Sequence, residues 1–134
     1  AGPLAAMATG AAWLADHGWS GPALVVATDL PRLSEALLAW LASHPAEGSL
    51  VLLDQVGRPQ PLCGRYQHAE LTTAEILVAS GRRAMRDLLD ATPSITYVQA
   101  TEWIRATGTP EALLDVDSPA DLAAAGMALP RDPW

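Results

Sequence analysis

The stretch Ala23-Leu24-Val25-Val26-Ala27-Thr28-Asp29-Leu30-Pro31 is a short apolar run that ends in a carboxylate and then a proline. An apolar run of this length, without alternation, is the pattern of a strand covered on both faces of a parallel α/β sheet. Proline has no N–H to give to a ladder, so the strand stops there. Asp29 is left at its carboxyl end, the edge at which open α/β sheets bind ligands. A second acidic strand end comes late in the chain, Leu113-Leu114-Asp115-Val116-Asp117-Ser118-Pro119. On an extended segment Asp115 and Asp117 point the same way and Val116 the other. Paired carboxylates attract a hard cation such as Mg²⁺, which prefers oxygen ligands. Both acids also have plainer readings. Asp29 before Leu-Pro is a turn former or a helix cap, and Asp117-Ser118-Pro119 is the start of a helix.

The rest of the chain alternates helices with strands. Pro3 suits a first helical position, and Leu4, Met7, Ala8, Ala11, Ala12 and Ala15 recur at helical spacing after it. Ser34 is the expected N-cap of a helix carrying Leu37, Leu38 and Leu41, closed by His44-Pro45 and Gly48. Leu50 to Leu53 reads as a second buried strand. A turn through Asp54 to Gly57 then leads into an extended piece near Gln60 to Tyr66. A helix from about Ala69 to Ala79 ends at Ser80-Gly81, a shorter one holds Arg82 to Leu89, and Ile95 to Val98 reads as another strand. The last helix starts with Ser118 as N-cap and Asp121 as its capping-box acid. This order predicts an α/β domain with a mostly parallel sheet.

Composition narrows the function. At 134 residues, half of them apolar, the chain forms one globular domain with a real core. No apolar stretch approaches the ~20 residues that span a bilayer. A formal charge of −7 argues against a broad nucleic-acid contact, which needs a basic face. Cys63 is the single cysteine, so no internal disulfide forms, which fits a reducing, cytoplasmic setting. Lysine is absent, which excludes a Walker-type phosphate loop and leaves charge chemistry to arginine, metal or backbone amides. Arg82, Arg83 and Arg86 follow Gly81 closely, with Arg82 and Arg86 one helical turn apart. They read either as a solvated face or as a clamp for a phosphate, which the guanidinium fork suits. His17, His44 and His68 share no ligand spacing and read as surface or loop residues.

Four segments, in this order, resemble the molybdenum cofactor guanylyltransferases and their nucleotidyltransferase relatives. They are Gly2-Pro3-Leu4-Ala5, Thr28-Asp29-Leu30-Pro31, the stretch Gln60-Pro61-Leu62 through Tyr66 to Ser80-Gly81-Arg82-Arg83, and Asp115-Val116-Asp117-Ser118-Pro119-Ala120-Asp121-Leu122. The resemblance implies a Rossmann-like three-layer α/β fold. It also implies a reaction that joins a nucleoside monophosphate from GTP, or CTP in cytidylyl relatives, to the phosphate of molybdopterin with release of pyrophosphate. It places Gly2, Pro3 and Leu4 against the nucleoside, and Asp29 and Asp117 as the catalytic pair holding Mg²⁺. Asp115 then orients the pair from outside, and Gln60, Arg82 and Arg83 serve the acceptor. The family opens with a Gly-Gly loop, Arg-Met-Gly and an Asp-Lys pair, none of which is in this chain. The chain therefore reads as one domain, residues 1–134, forming the carboxyl-terminal two-thirds of the family fold without its first strand-helix units. Alone it should be inactive. Guanylyl members usually carry asparagine where this chain has Asp115 and Asp117, so the acids leave the choice of base open.

Two other functions fit part of the pattern. Asp115-Val116-Asp117 is also the metal motif of nucleotide-sugar glycosyltransferases, although its place against a helix-capping Ser-Pro is unusual for them. A non-catalytic binding domain could keep the fold without the nucleotide loop and use Ala123, Ala124 and Ala125 for homo-oligomer contacts. If an amino-terminal segment completes the sheet, Leu24, Val26 and Leu52 should lie at an uncovered edge.

Overall fold

A computed structural model describes residues 2–27 and 35–108. Their elements are α1 (Pro3–Asp16), β1 (Ala23–Val26), α2 (Glu35–Ser43), β2 (Leu50–Leu53), β3 (Pro59–Tyr66), α3 (His68–Ala79), α4 (Met85–Ala91), β4 (Thr96–Val98) and α5 (Ala100–Thr107). The four strands form one sheet in the order β1-β3-β2-β4. β2 and β4 run parallel, with Leu50 opposite Thr96 and Leu52 opposite Val98. β3 is antiparallel to both β1 and β2. Thus β1, β2 and β4 share one direction, as expected of an α/β domain, and the extended piece after Asp54 runs against them. The cause is local. Asp54 Oδ1 accepts N–H bonds from Val56 (3.0 Å) and Arg58 (2.9 Å), which folds the chain back at once. A turn this short can only join antiparallel neighbours.

Helices cover both faces, giving three layers. On one face Leu4, Met7 and Ala11 of α1, Leu71 and Ala74 of α3, and Met85 and Leu88 of α4 pack over Val51 and Tyr66. On the other, Leu37 and Leu41 of α2 and Trp103 of α5 pack over Leu50, Leu52, Cys63 and Val98. Successive residues of β2 therefore serve opposite cores, which is why Leu50-Val51-Leu52 shows no polar alternation.

Three local features differ from the sequence reading. The segment after β4 folds as α5, which the sequence had not suggested. Its Trp103 is fully buried and donates its indole N–H to the Leu53 carbonyl at 2.9 Å. The second difference is that α4 begins at Met85, so Arg82 and Arg83 precede it and do not share a helical turn with Arg86. The reason is the end of α3: Gly81 takes φ 88, its N–H reaches Val78 O at 3.0 Å, and the Arg82 N–H reaches Leu77 O at 2.9 Å. That is a Schellman cap, which stops one helix and delays the next. Finally, Leu52 is fully buried within the chain and not at an uncovered edge, whereas Leu24 is 36 % exposed. The caps expected at Ser34 and Ser118 lie outside the described residues.

Between β2 and β3 the register breaks. Val51 pairs with Gly64 but Leu52 pairs with Gln60, so Pro61-Leu62-Cys63 bulges away from β2. Pro61 has no N–H for the ladder, and its carbonyl is taken instead by the Tyr66 hydroxyl at 2.6 Å. Where pairing resumes the backbones come close. A Cβ on Gly64 would sit 2.6 Å from the Leu50 carbonyl oxygen. Gly64→Ala should therefore cost about 1–3 kcal/mol in urea unfolding, the usual range for overpacking. An unchanged midpoint would show that the strands separate more easily than this packing implies.

Candidate functional site

The site residues are carried by backbone topology. β3 ends beside the start of β1, with Tyr66 opposite Ala23, so α3 begins at the amino ends of β1 and β2. Its start is fixed by Ser49. The Ser49 hydroxyl accepts the Gln67 N–H at 2.8 Å and donates to Glu70 Oε1 at 2.5 Å. In a capping box the acid at the third helical position bonds the N-cap amide directly; here the serine of another segment stands between them. From that anchor the 12 residues of α3 span ~18 Å and carry Gly81, Arg82 and Arg83 to the carboxyl edge of β1, β2 and β4.

Two other groups reach the same edge. β3 starts there, so Gln60 lies in the β2–β3 hairpin, with its side-chain amide held by Asp54 Oδ2 at 3.1 Å. α1 lies beside β1 and reverses through residues 17–22, which returns Gly2 and Pro3 to the carboxyl end of β1. Gly2 takes φ 133, a conformation that only glycine adopts easily, and Pro3 follows at the first helical position. Both are exposed, whereas Leu4 is fully buried in the core and could offer a ligand only its backbone. Arg82 is exposed and lies 3.6 Å from Asp87, and Arg83 and Arg86 are exposed as well. An ion pair this open to water holds Arg82 weakly, leaving its charge available to an anion.

Asp29, Asp115 and Asp117 lie outside the described residues. Among the described residues no group of three or more His, Cys, Asp or Glu side chains could hold a metal. Asp54, the described carboxylate of the neighbouring hairpin, is already committed to Val56, Arg58 and Gln60.

Two polar arrangements went unread in the sequence. Arg65 is buried on β3, and its guanidinium donates to backbone carbonyls at the end of α2 and just beyond. These are Leu41 (3.1 Å), Ala42 (3.3 Å), His44 (2.8 Å), Ala46 and Gly48 (3.5 Å). It thereby satisfies carbonyls that a helix C-terminus leaves open. The one available signal was an arginine as the single charged residue of its strand. His44, read from the sequence as a surface or loop residue, does lie in the loop after α2. Its Nδ1 accepts the Ala46 N–H at 3.2 Å, which leaves the proton on Nε2 for donation to Glu102 at 2.8 Å. The two contacts join the α2–β2 loop to α5.

Three-layer α/β domains bind their ligands at the carboxyl edge of the sheet. Residues 1–98 match the MobA-like NTP transferase domain, and the chain belongs to that family. A Chloroflexus aggregans protein named "Probable molybdenum cofactor guanylyltransferase" is 31% identical over 105 residues, covering 75% of this chain and 49% of that one. Molybdopterin-guanine dinucleotide biosynthesis protein A from Archaeoglobus fulgidus has a similar structure, with a TM-score of 0.67 at 19% identity over 86% of this chain and 57% of that one. A putative protein from Aquifex aeolicus gives a TM-score of 0.60 at 19% identity over 77% and 51%. At such identities these two structures establish the fold alone. The chain spans about half the length of the relatives it matches. No described helix is long and apolar enough to cross a membrane.

Cys63 is unsuited to nucleophilic work. It is fully buried, and desolvation pushes its thiol up to about 12. Burial moves the Tyr66 hydroxyl in the same direction, with smaller contributions from Tyr97 and Cys63. In the unfolded chain the thiol ionises near 9.0. Above that pH the unfolded state holds fewer protons than the folded one, so stability should fall as pH rises from about 9 towards 12. Urea midpoints across that window should show the decline, and Cys63→Ala should lessen it, the Tyr66 hydroxyl's share above about pH 10 remaining. At pH 8 a thiol reagent should label the native chain far more slowly than the unfolded one. Rapid native labelling would show that the strand opens.

Proposed function

We propose that this chain supplies the metal-binding and acceptor-binding side of a nucleotidyltransferase. The reaction joins a nucleoside monophosphate from GTP, or CTP, to the phosphate of molybdopterin and releases pyrophosphate. The observation that carries this reading is the family match over residues 1–98. The name of the C. aggregans relative supports the choice of acceptor. In this reading an oxygen of the acceptor phosphate attacks the α-phosphorus of the nucleotide. The bond from that phosphorus to the bridging oxygen breaks, and the electron pair leaves with pyrophosphate. Mg²⁺ held by Asp29 and Asp117 would supply charge neutralisation on the triphosphate, with Asp115 orienting those carboxylates.

The chain's own groups act mainly by positioning, which suffices for a reaction between two charged phosphates. Arg82 and Arg83, delivered to the edge by the Schellman cap of α3, hold the acceptor phosphate and offset its repulsion from the nucleotide. Gln60, fixed by Asp54, orients the acceptor's polar ring. Gly2, Pro3 and the backbone of Leu4 line the nucleoside. The setting is the reducing cytoplasm, where a lone buried thiol survives.

The test uses a protein that carries these residues within a complete family domain. A charge-assisted arginine contact is worth about 1.5–3 kcal/mol, so Arg82→Ala or Arg83→Ala should raise KM for molybdopterin about tenfold or more. Neither should change nucleotide affinity. Asp29→Asn keeps volume and removes charge, so it should cut kcat by orders of magnitude with an unchanged unfolding midpoint. Variants at Arg82 and Arg83 that behave like the parent would reduce the pair to a solvated face.

A further inference from the structure

The β2–β3 hairpin holds more than its turn requires. Asp54 Oδ1 closes the turn by accepting the Val56 N–H at 3.0 Å and the Arg58 N–H at 2.9 Å. The backbone adds two bonds of its own, Asp54 N–H to Arg58 O at 2.9 Å and Gly57 N–H to Asp54 O at 3.0 Å. Asparagine would serve such a turn as well as aspartate. The turn therefore leaves Oδ2 unexplained, and Oδ2 accepts from the side-chain amide of Gln60 at 3.1 Å. The Arg58 carbonyl approaches the same end of that amide at 3.4 Å. A carboxylate oxygen and a carbonyl oxygen can only accept, so the end they share is the NH2 end, and both of its hydrogens are taken. The backbone of Gln60 is held too, by its pairing with Leu52. Its Oε1 lies on the other branch of the planar amide, and among the described residues no hydrogen bond reaches it.

We propose that Asp54 is a positioning residue that turns the Gln60 carboxamide so that only its carbonyl oxygen faces the acceptor, and that the acceptor meets this oxygen with an N–H donor. A glutamine free to turn over could offer either a donor or an acceptor to a ligand. Locked by two acceptors on one side, it offers an acceptor alone, and the hairpin becomes selective for polarity. A pterin ring fits, because one of its edges carries a lactam N–H beside an amino group. A ring presenting only lone pairs there would face the Oε1 lone pairs and leave them unpaired, which is how a polar site rejects an analogue. Asp54 touches no substrate and acts through Gln60. The inference rests on the proposed acceptor role of Gln60 and not on the metal or nucleotide chemistry.

The test uses a complete family domain carrying these residues. By NMR, the side-chain amide of Gln60 should exchange its hydrogens more slowly than that of the exposed Gln99. The probes are pterin and an analogue with its amino group dimethylated and its lactam O-methylated, which keeps the ring and loses those N–H donors. The parent should bind pterin about tenfold more tightly, and Gln60→Ala should remove most of that ratio. Asp54→Asn gives the sharpest reading. Two N–H groups hold Oδ1, so the asparagine's oxygen stays in the turn and its NH2 takes the place of Oδ2. The Gln60 amide must then turn over and present its NH2 outwards. The preference for pterin should vanish or reverse, while the Val56 and Arg58 amides keep their protection. A merely structural role would weaken both rings alike, and any difference in their bulk is common to all three proteins. Three results would overturn the inference: a Gln60 amide that exchanges as fast as that of Gln99, a parent that binds both rings equally, or an Asp54→Asn variant that keeps the parent's ratio. Binding of neither ring, with the Gln60 amide protected, would instead remove the acceptor reading itself, and this inference with it.

Discussion

The molecule is organised around β3. That strand is the only described link between β1 and the rest of the sheet, because β1 and β2 each pair with it and not with one another. Its residues also divide between the two cores, Tyr66 entering one and Cys63 the other. Arg65, between Gly64 and Tyr66, reaches out of the sheet to hold the carbonyls that follow α2. Three different constraints therefore fall on four adjacent residues. Gly64 is fixed by the approach of the Leu50 carbonyl, and Arg65 by the loop. The two flanking residues are fixed by packing. Buried polar groups of this kind contribute little net stability when satisfied but cost a great deal when one partner is lost. They hold the α2–β2 loop, and with it the directions of α2 and α5, in one arrangement.

That arrangement decides what stands at the carboxyl edge of the sheet. Because β3 runs against its neighbours, its start and the end of α3 lie at the same side as the carboxyl ends of β1, β2 and β4. Gln60 and the Arg82–Arg83 pair arrive there from opposite directions along the chain. In a chain of net charge −7, the two arginines form a local exception. They occupy the connection after a glycine cap instead of a helix face. A connection is free to shape itself around a ligand, whereas a helix face presents its side chains at fixed spacing.

The sequence exposed the parts whose physics is local. Leu50 to Leu53 and Ala23 to Val26 were legible as strands because covering both faces removes polar alternation. α1 and α3 were legible from periodic apolar residues and glycine stops. The resemblance carried in order by Gly2 to Ala5, Thr28 to Pro31, Gln60 to Arg83 and Asp115 to Leu122 identified the family that the match over residues 1–98 establishes. α5 was not legible, because eight residues with two large apolar side chains make too short a pattern, and its burial depends on the distant Leu53 carbonyl. Arg65 was hidden for a similar reason: its partners are backbone carbonyls some twenty positions earlier, which carry no side-chain signature. Asp29, Asp115 and Asp117 fall outside the described residues, so their pairing stays a proposal drawn from strand ends and resemblance.

The central claim concerns which bond is made and which is broken, and product identity tests it most directly. A protein carrying residues 1–134 within a complete family domain would be incubated with Mg²⁺, molybdopterin and, in separate reactions, GTP, CTP and a uridine diphosphate sugar. Phosphorus NMR would follow the products. The account predicts one equivalent of pyrophosphate for each molybdopterin dinucleotide formed, with one of the two triphosphates and none with the sugar nucleotide. Release of nucleoside diphosphate from the sugar nucleotide would contradict it, as would tight nucleotide binding with no dinucleotide formed.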